Sequence, residues 1–362
     1  MRGSPVKKLA PASVIGICLA AVLCVTILVK VSSASAVPLE TGIADSSATA
    51  GESDNVAPES EPAQDMPIFL SSFPPERALT PIPADPWDML RYPVSDWRDD
   101  RFELFSWDRF PELLLLDFSS QQIQDRLLKR LAFFVEKAGF RGRVLHDREI
   151  AHLYAWNAHD YQASDLAVFF RYARDNDFPL LDEEWELEAM LLRSGVLRLD
   201  PAARIVPGRG AILSVSRESV PELRTRFMAH EMFHGLFFID ENFREFSRQR
   251  WEAFPQFAKD FFVAYLGTLS YATDYEFLII NEFMAYLLQL PVSQAPWYFG
   301  QHLSGQLHSR GLTRFLPADY QMRDGIRYWP EIAATFTAEA EAFSRYVNDR
   351  WGLAAGRVWR PR

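Results

Sequence analysis

The sequence predicts an α+β fold, mainly helical, with a small sheet beside one central helix. Three observations carry this. Helical apolar spacing and capping residues recur through the chain from about residue 121 onward. Two short runs, Pro111 to Phe118 and Gly210 to Ser216, read as strands. The second strand leads directly into the stretch Arg226 to Gly235, which sets two histidines four positions apart.

The N-terminal part stands apart in composition. Residues 1–36 hold four basic residues and no acid, with Arg2, Lys7 and Lys8 ahead of a mainly apolar run from Leu9 to Val29. Ala34-Ser35-Ala36 offers a small-residue cleavage site. Together these describe a secretory signal. A run of about 20 residues also suits an uncleaved membrane anchor. Either places the rest of the chain outside the cytoplasm, secreted, periplasmic or anchored, because the positive flank stays inside. Both cysteines, Cys18 and Cys24, lie in this run, so the remainder has no disulfide and no thiolate ligand.

Residues 37–85 are rich in Ser, Ala, Pro and acid and predict a disordered acidic linker, stiffened by Pro74-Pro75, Pro81 and Pro83. The chain carries a formal net charge of −10 over 362 residues, and the linker supplies much of it. What is left is mildly acidic, with no basic footprint for nucleic acid. Residues 86–362 are expected to form a single domain: an N-terminal part over 86–210, a central part over 211–290 and a helical C-terminal part over 291–362.

Within it, Ser119-Ser120 caps a helix from Gln121 to Lys137, with Leu127, Leu128, Leu131, Phe134 and Val135 inward and Gly139 as its stop. Helices follow near 147–156, 163–175 with Ser164 as cap, and 182–193. Asn157 to Asp160 is polar and reads as a turn, with His159 on a surface loop. Ser219 and Glu222 form a capping box for the motif helix, with Pro221 in its first turn. Helices are expected at 241–253 and 256–266. A second capping box, Thr273 with Glu276, opens a helix that Pro291 ends. A last helix falls around 337–350.

The motif itself is His230-Glu231-x-x-His234. On a helix the two imidazoles lie one above the other and can bind one metal ion, and Glu231, one residue round, can reach a water on the open side. That pattern points to a zinc site with a glutamate general base. The strand ahead of it, if its edge is free, offers pairing to an extended peptide.

A third ligand must come from elsewhere. Glu282 sits mid-helix in an apolar segment, where a carboxylate is costly to bury unless paired or metal-bound. Asp240 and Asp274 are rivals; the first also suits an N-cap and the second a first helical turn. His230-Glu-x-x-His234 followed on a later helix by Asn281-Glu282-x-x-Ala285 resembles the gluzincin metallopeptidases, the thermolysin-like group, over about 65 residues. The resemblance implies a zincin-like catalytic core, zinc held by His230, His234 and Glu282, and Glu231 as catalytic base. Tyr286 stands where thermolysin-like members place an aspartate that supports a zinc histidine. Asn281 is a candidate to orient the site. Candidate donors to a developing oxyanion are His302, His308, Tyr271, Tyr275 and Tyr328.

The expected function is hydrolysis of peptide bonds in a peptide or protein substrate by an extracytoplasmic zinc metallopeptidase, held to the membrane if the N-terminal segment stays uncleaved. Two other readings stand beside it: a catalytically silent, tethered interaction domain, and a zinc amidase acting on cell-wall peptides.

Overall fold

A computed structural model of the chain describes residues 79–361. The expectations for residues 1–36, and for the linker up to residue 78, lie outside that range. Among the described residues no helix is long and apolar enough to cross a membrane.

The first strand, β1 (Ile82–Ala84), falls inside the stretch read as linker and is followed by α1 (Pro86–Arg91). The residues just before Pro86 therefore belong to the folded part. Next come β2 (Phe102–Trp107), β3 (Phe110–Phe118), α2 (Gln121–Val135) and the short α3 (Asp147–Ile150). Then β4 (Ala158–Gln162), α4 (Ala163–Asp175) and α5 (Asp182–Arg193) precede a hairpin of β5 (Leu197–Leu199) and β6 (Ile205–Pro207). The central segment is β7 (Ala211–Ser216), α6 (Pro221–Ile239), α7 (Glu241–Ala253), α8 (Gln256–Thr268) and α9 (Glu276–Leu288). The last part holds α10 (Ala295–Trp297), a π-helical segment Tyr298–Leu303, α11 (Ser304–Ser309), a hairpin of β8 (Gln321–Arg323) and β9 (Ile326–Tyr328), and α12 (Pro330–Trp351). The fold is α+β and mainly helical, as the sequence predicts.

Five strands form one mixed sheet in the order β1-β2-β3-β7-β4. β3 and β7 pair in parallel, whereas β4 runs antiparallel to β7 and stands at the edge. Both sheet faces are covered, which explains the unbroken leucine run of β3. Leu113 and Leu115 join one core with Leu213, Val215 and the α6, α9 and α12 side chains. Leu114 and Leu116 face the other way, into a core with Ile212, α2, α4 and α5.

Helix α6 lies close against the sheet. A Cβ on Gly235 would come within 2.9 Å of a Leu113 methyl and 3.1 Å of a Leu213 methyl, so a larger residue here would have to displace those leucine side chains. At the other end of α6, Arg224 reaches the buried Asp117 carboxylate at the end of β3 (3.0 Å), which Arg217 also engages at 2.5 Å. That ion pair fixes the rotation of α6 relative to the sheet.

Several local expectations are corrected. Ser219 does not cap α6: its hydroxyl accepts from the Asn157 amide (2.6 Å), and the helix starts at Pro221, which has no N–H to satisfy. The box at Thr273 and Glu276 is absent too. Tyr275 N–H bonds back to the Ala272 carbonyl, so Thr273 lies in a turn and α9 begins at Glu276 without a side-chain cap. The 147–156 helix is cut to one turn. Gln162, not Ser164, precedes α4, and the last helix starts at Pro330 rather than near 337. Ser120 does cap α2, accepting from Ile123 N–H, although that helix ends at Val135.

The largest correction concerns residues 157–160. They lead into β4, and His159 is buried rather than on a surface loop. Its ring stacks on Tyr161 at 5.8 Å and faces Glu136. His159 and Tyr161 face one side of the sheet and Asp160 the other, toward α6, a period-2 signal hidden by polar residue types.

Candidate metal centre

Three elements meet at one point: β4, the middle of α6 and the middle of α9. From α6, His230 and His234 present their rings 4.5 Å apart and edge to face, as the four-residue spacing requires. From α9, Glu282 faces both, with Oε2 3.5 Å from His230 Nε2 and Oε1 3.9 Å from His234 Nε2. Bonds of about 2.1 Å to one tetrahedral ion place ligand atoms roughly 3.4 Å apart. The observed separations fit that edge with little rearrangement. The candidate ligand atoms of the three side chains all lie within 4.8 Å of one another.

The rival ligands are elsewhere. Asp240 caps α7 by accepting from Phe243 N–H (2.8 Å) and pairs with Arg350. Asp274 is exposed in the turn before α9.

Burial decides the charge states. His234 and Glu282 are almost wholly covered and Glu231 is 3% exposed. Burial, followed by the Arg226 charge, pushes His230 down to about 3; burial, followed by His230, pushes His234 down to about 4. Both rings are neutral near pH 7 and can donate lone pairs. Burial raises the Glu282 carboxyl to about 7, while the His234 ring opposes that rise. Glu231 is pushed well above the ordinary carboxylate range by burial and by the neighbouring charge of Glu282.

Several of these atoms have no hydrogen-bond partner: His234 Nε2, Glu282 Oε2 and Glu231 Oε2 are buried and unpaired. A convergent set of buried acceptors left unpaired is costly, and a cation satisfies them together. The residues therefore fit a metal ion, and the buried group His230, His234 and Glu282 could hold one.

The outer residues differ from the sequence expectation. Asp160, from edge strand β4, places Oδ2 3.7 Å from His234 Nδ1, and Asn281 Nδ2 donates to that same oxygen at 3.2 Å. Asn281 thus orients Asp160. Tyr286 sets its ring edge-on to His230, 5.2 Å between centroids, and its hydroxyl turns toward Tyr265. The Gln289 amide reaches toward His230. Asp160 and Gln289 escaped sequence reasoning. The first was read as part of a turn, and the second lies just past the helix that carries Glu282.

The candidate oxyanion donors separate clearly. The Tyr271 hydroxyl engages the Glu282 carboxyl and favours its ionised form. Tyr275 stands against Arg141, Tyr328 against Arg323, and His308 against Trp329. His302, on the π-helical segment, lies near-parallel to both Trp297 (5.3 Å) and Tyr298 (5.6 Å).

No family model, curated protein or solved structure matches this chain.

Proposed function

We propose that the protein is a zinc-dependent metallopeptidase of gluzincin type with a zincin-like core, acting outside the cytoplasm on peptide or protein substrates. The observation that carries this reading is the convergence of His230, His234 and Glu282 with Glu231 standing beside them on the same helix. The donor set of two neutral imidazoles and one carboxylate suits zinc and leaves a fourth position open.

Bound zinc would supply a polarised water and a Lewis acid for the amide carbonyl. The remaining work falls to the chain. Glu231 takes the water's proton and returns it to the leaving nitrogen; burial and the neighbouring Glu282 raise its pKa in the absence of metal. Asp160, steadied by Asn281, stands 3.7 Å from His234 Nδ1, where its carboxylate would orient the ring once the site is filled. Tyr271, whose hydroxyl acts on the Glu282 carboxyl, is the favoured donor to a developing oxyanion in this reading.

The substrate strand lies along β4. The sequence pointed to the strand at 211–216, but that strand, β7, is flanked by β3 and β4. The edge belongs to β4, hydrogen-bonded on one side only to β7 and carrying Asp160 into the site. An extended peptide pairing there runs across the metal position.

The test is the zinc content of the purified protein, wild type beside Glu282→Ala and Glu231→Gln, with peptide-library cleavage by each. One zinc per wild-type chain, lost in Glu282→Ala and kept in an inactive Glu231→Gln, is the expected result. A folded wild type that binds no zinc after supplementation sinks the proposal.

A further inference from the structure

One turn before His230 on α6, Arg226 is in an unusual position. Its neighbour Arg224 is paired with Asp117, but Arg226 makes no ion pair among the described residues, and its Nε is buried with no hydrogen-bond partner. Its guanidinium instead lies over aromatic rings, 5.7 Å from the Phe227 centroid and 5.9 Å from that of Tyr298. Its charge works against protonation of both His230 and His302. It equally works against a cation at His230. A buried guanidinium nitrogen without a partner, next to a metal position, is a cost that an arriving anion removes.

The wall opposite Arg226 is also irregular. Tyr298–Leu303 is π-helical, a rare backbone form that recurs at functional sites. It gathers Tyr298, His302 and Trp297 into one cluster with centroids 5.3 to 6.2 Å apart, and Trp297 stays 47% exposed. These rings connect to the metal position through Tyr286, which lies 6.4 Å from Tyr298 and 5.2 Å from His230. His230 and Asp160 are the least covered members of the cluster, with side chains 11% and 12% exposed. Of the two histidines, the one a single turn from Arg226 is the less covered, so the metal position opens on the side of His230.

We infer that Arg226, resting against Tyr298 with His302 beyond it, forms a subsite beside the metal that takes a carboxylate of the substrate. The carboxylate belongs to an acidic side chain or to a free C-terminus; both offer two oxygens to one guanidinium fork. The inference rests on the peptidase reading for its substrate class, and adds a charge preference to it.

The test measures binding, so it does not depend on turnover. Fluorescein-labelled heptapeptides of neutral sequence carry a single Glu moved position by position, with Gln at the same places as control. Each is made as free acid and as amide. Affinities for zinc-supplemented full-length Glu231→Gln are read by anisotropy. The expected result is about tenfold tighter binding of one carboxylate-bearing peptide than of its neutral isostere. The Glu/Gln and acid/amide arms identify the source of the carboxylate. Adding Arg226→Gln brings the ratio to about one, and adding Arg226→Lys keeps part of it. A ratio near one in the Glu231→Gln background, no binding of any peptide, or a ratio that survives Arg226→Gln overturns the subsite. If zinc binds and wild type cleaves neutral and acidic peptides alike, only the subsite fails. If no zinc binds, the peptidase reading fails, and the anisotropy ratio still decides the subsite.

Discussion

Asp160 Oδ2 lies 3.7 Å from His234 Nδ1, and the Asn281 amide holds that same oxygen from the helix that carries Glu282. One carboxylate therefore ties the sheet edge to both helices of the candidate metal centre. A carboxylate behind a metal-binding imidazole fixes its orientation and raises its basicity. Asp160→Asn keeps the size and removes the charge. The expected loss is about 10- to 100-fold in zinc affinity, measured by competition with a chromophoric chelator. Unchanged affinity would mean that Asp160 only packs.

Zinc loading should depend on pH through one ligand. His230 and His234 are already neutral above about pH 4, so they release no proton near neutrality. Glu282, raised to about 7 in the metal-free protein, must lose its proton to bind. Affinity should fall about tenfold per pH unit below 7 and level off above it. Calorimetric titration in buffers of different ionisation enthalpy should show more proton release at pH 6 than at pH 8, with Glu231 and Asp160 adding to that of Glu282. A flat profile across that range would place the Glu282 titration elsewhere.

Gly235→Ala adds one methyl where Leu113 and Leu213 leave no room. Overpacking of this kind costs about 1–3 kcal/mol, partly relieved by leucine rotation. Because α6 carries the two histidines, the same shift moves them relative to Glu282. Urea unfolding of the metal-free protein should show the stability loss, and zinc affinity should fall with it. A variant as stable as wild type contradicts the close-packing account.

Asp117→Ala leaves Arg224 buried without its carboxylate. Removing one partner of a buried pair costs about 3–5 kcal/mol. The double variant Asp117→Ala with Arg224→Met should recover part of that, since it removes the more deeply buried of the two stranded charges and leaves Arg217 to reach solvent. A double variant no better than the single would show that the pair matters for its contacts and not for its charge balance.

Much of this was legible in the residues. The helix at Glu241–Ala253 and the strand at Ala211–Ser216 follow directly from periodicity and stop signals, and the ligand spacing on α6 follows from helix geometry. Glu282 was legible because a carboxylate in an apolar helix needs a reason. The caps at Ser219 and Thr273 were misread because their hydroxyls and turns answer to tertiary partners, which local pattern does not contain. Asp160 was missed for a related reason. A strand whose buried residues are His159 and Tyr161 has no apolar alternation to announce it, and its polarity exists because it builds a site.

Three carboxylates, Asp160, Glu231 and Glu282, share one pocket with two neutral imidazoles, and each of the acids raises the cost of ionising another. Those costs fall where β4, α6 and α9 meet. A divalent ion bound there would draw together segments distant in the chain, and its binding free energy would become folding free energy. The amount of intact protein would then follow the free metal concentration around it. Where the metal is scarce the chain would be lost through unfolding and proteolysis, and its lifetime would become a gauge of metal supply.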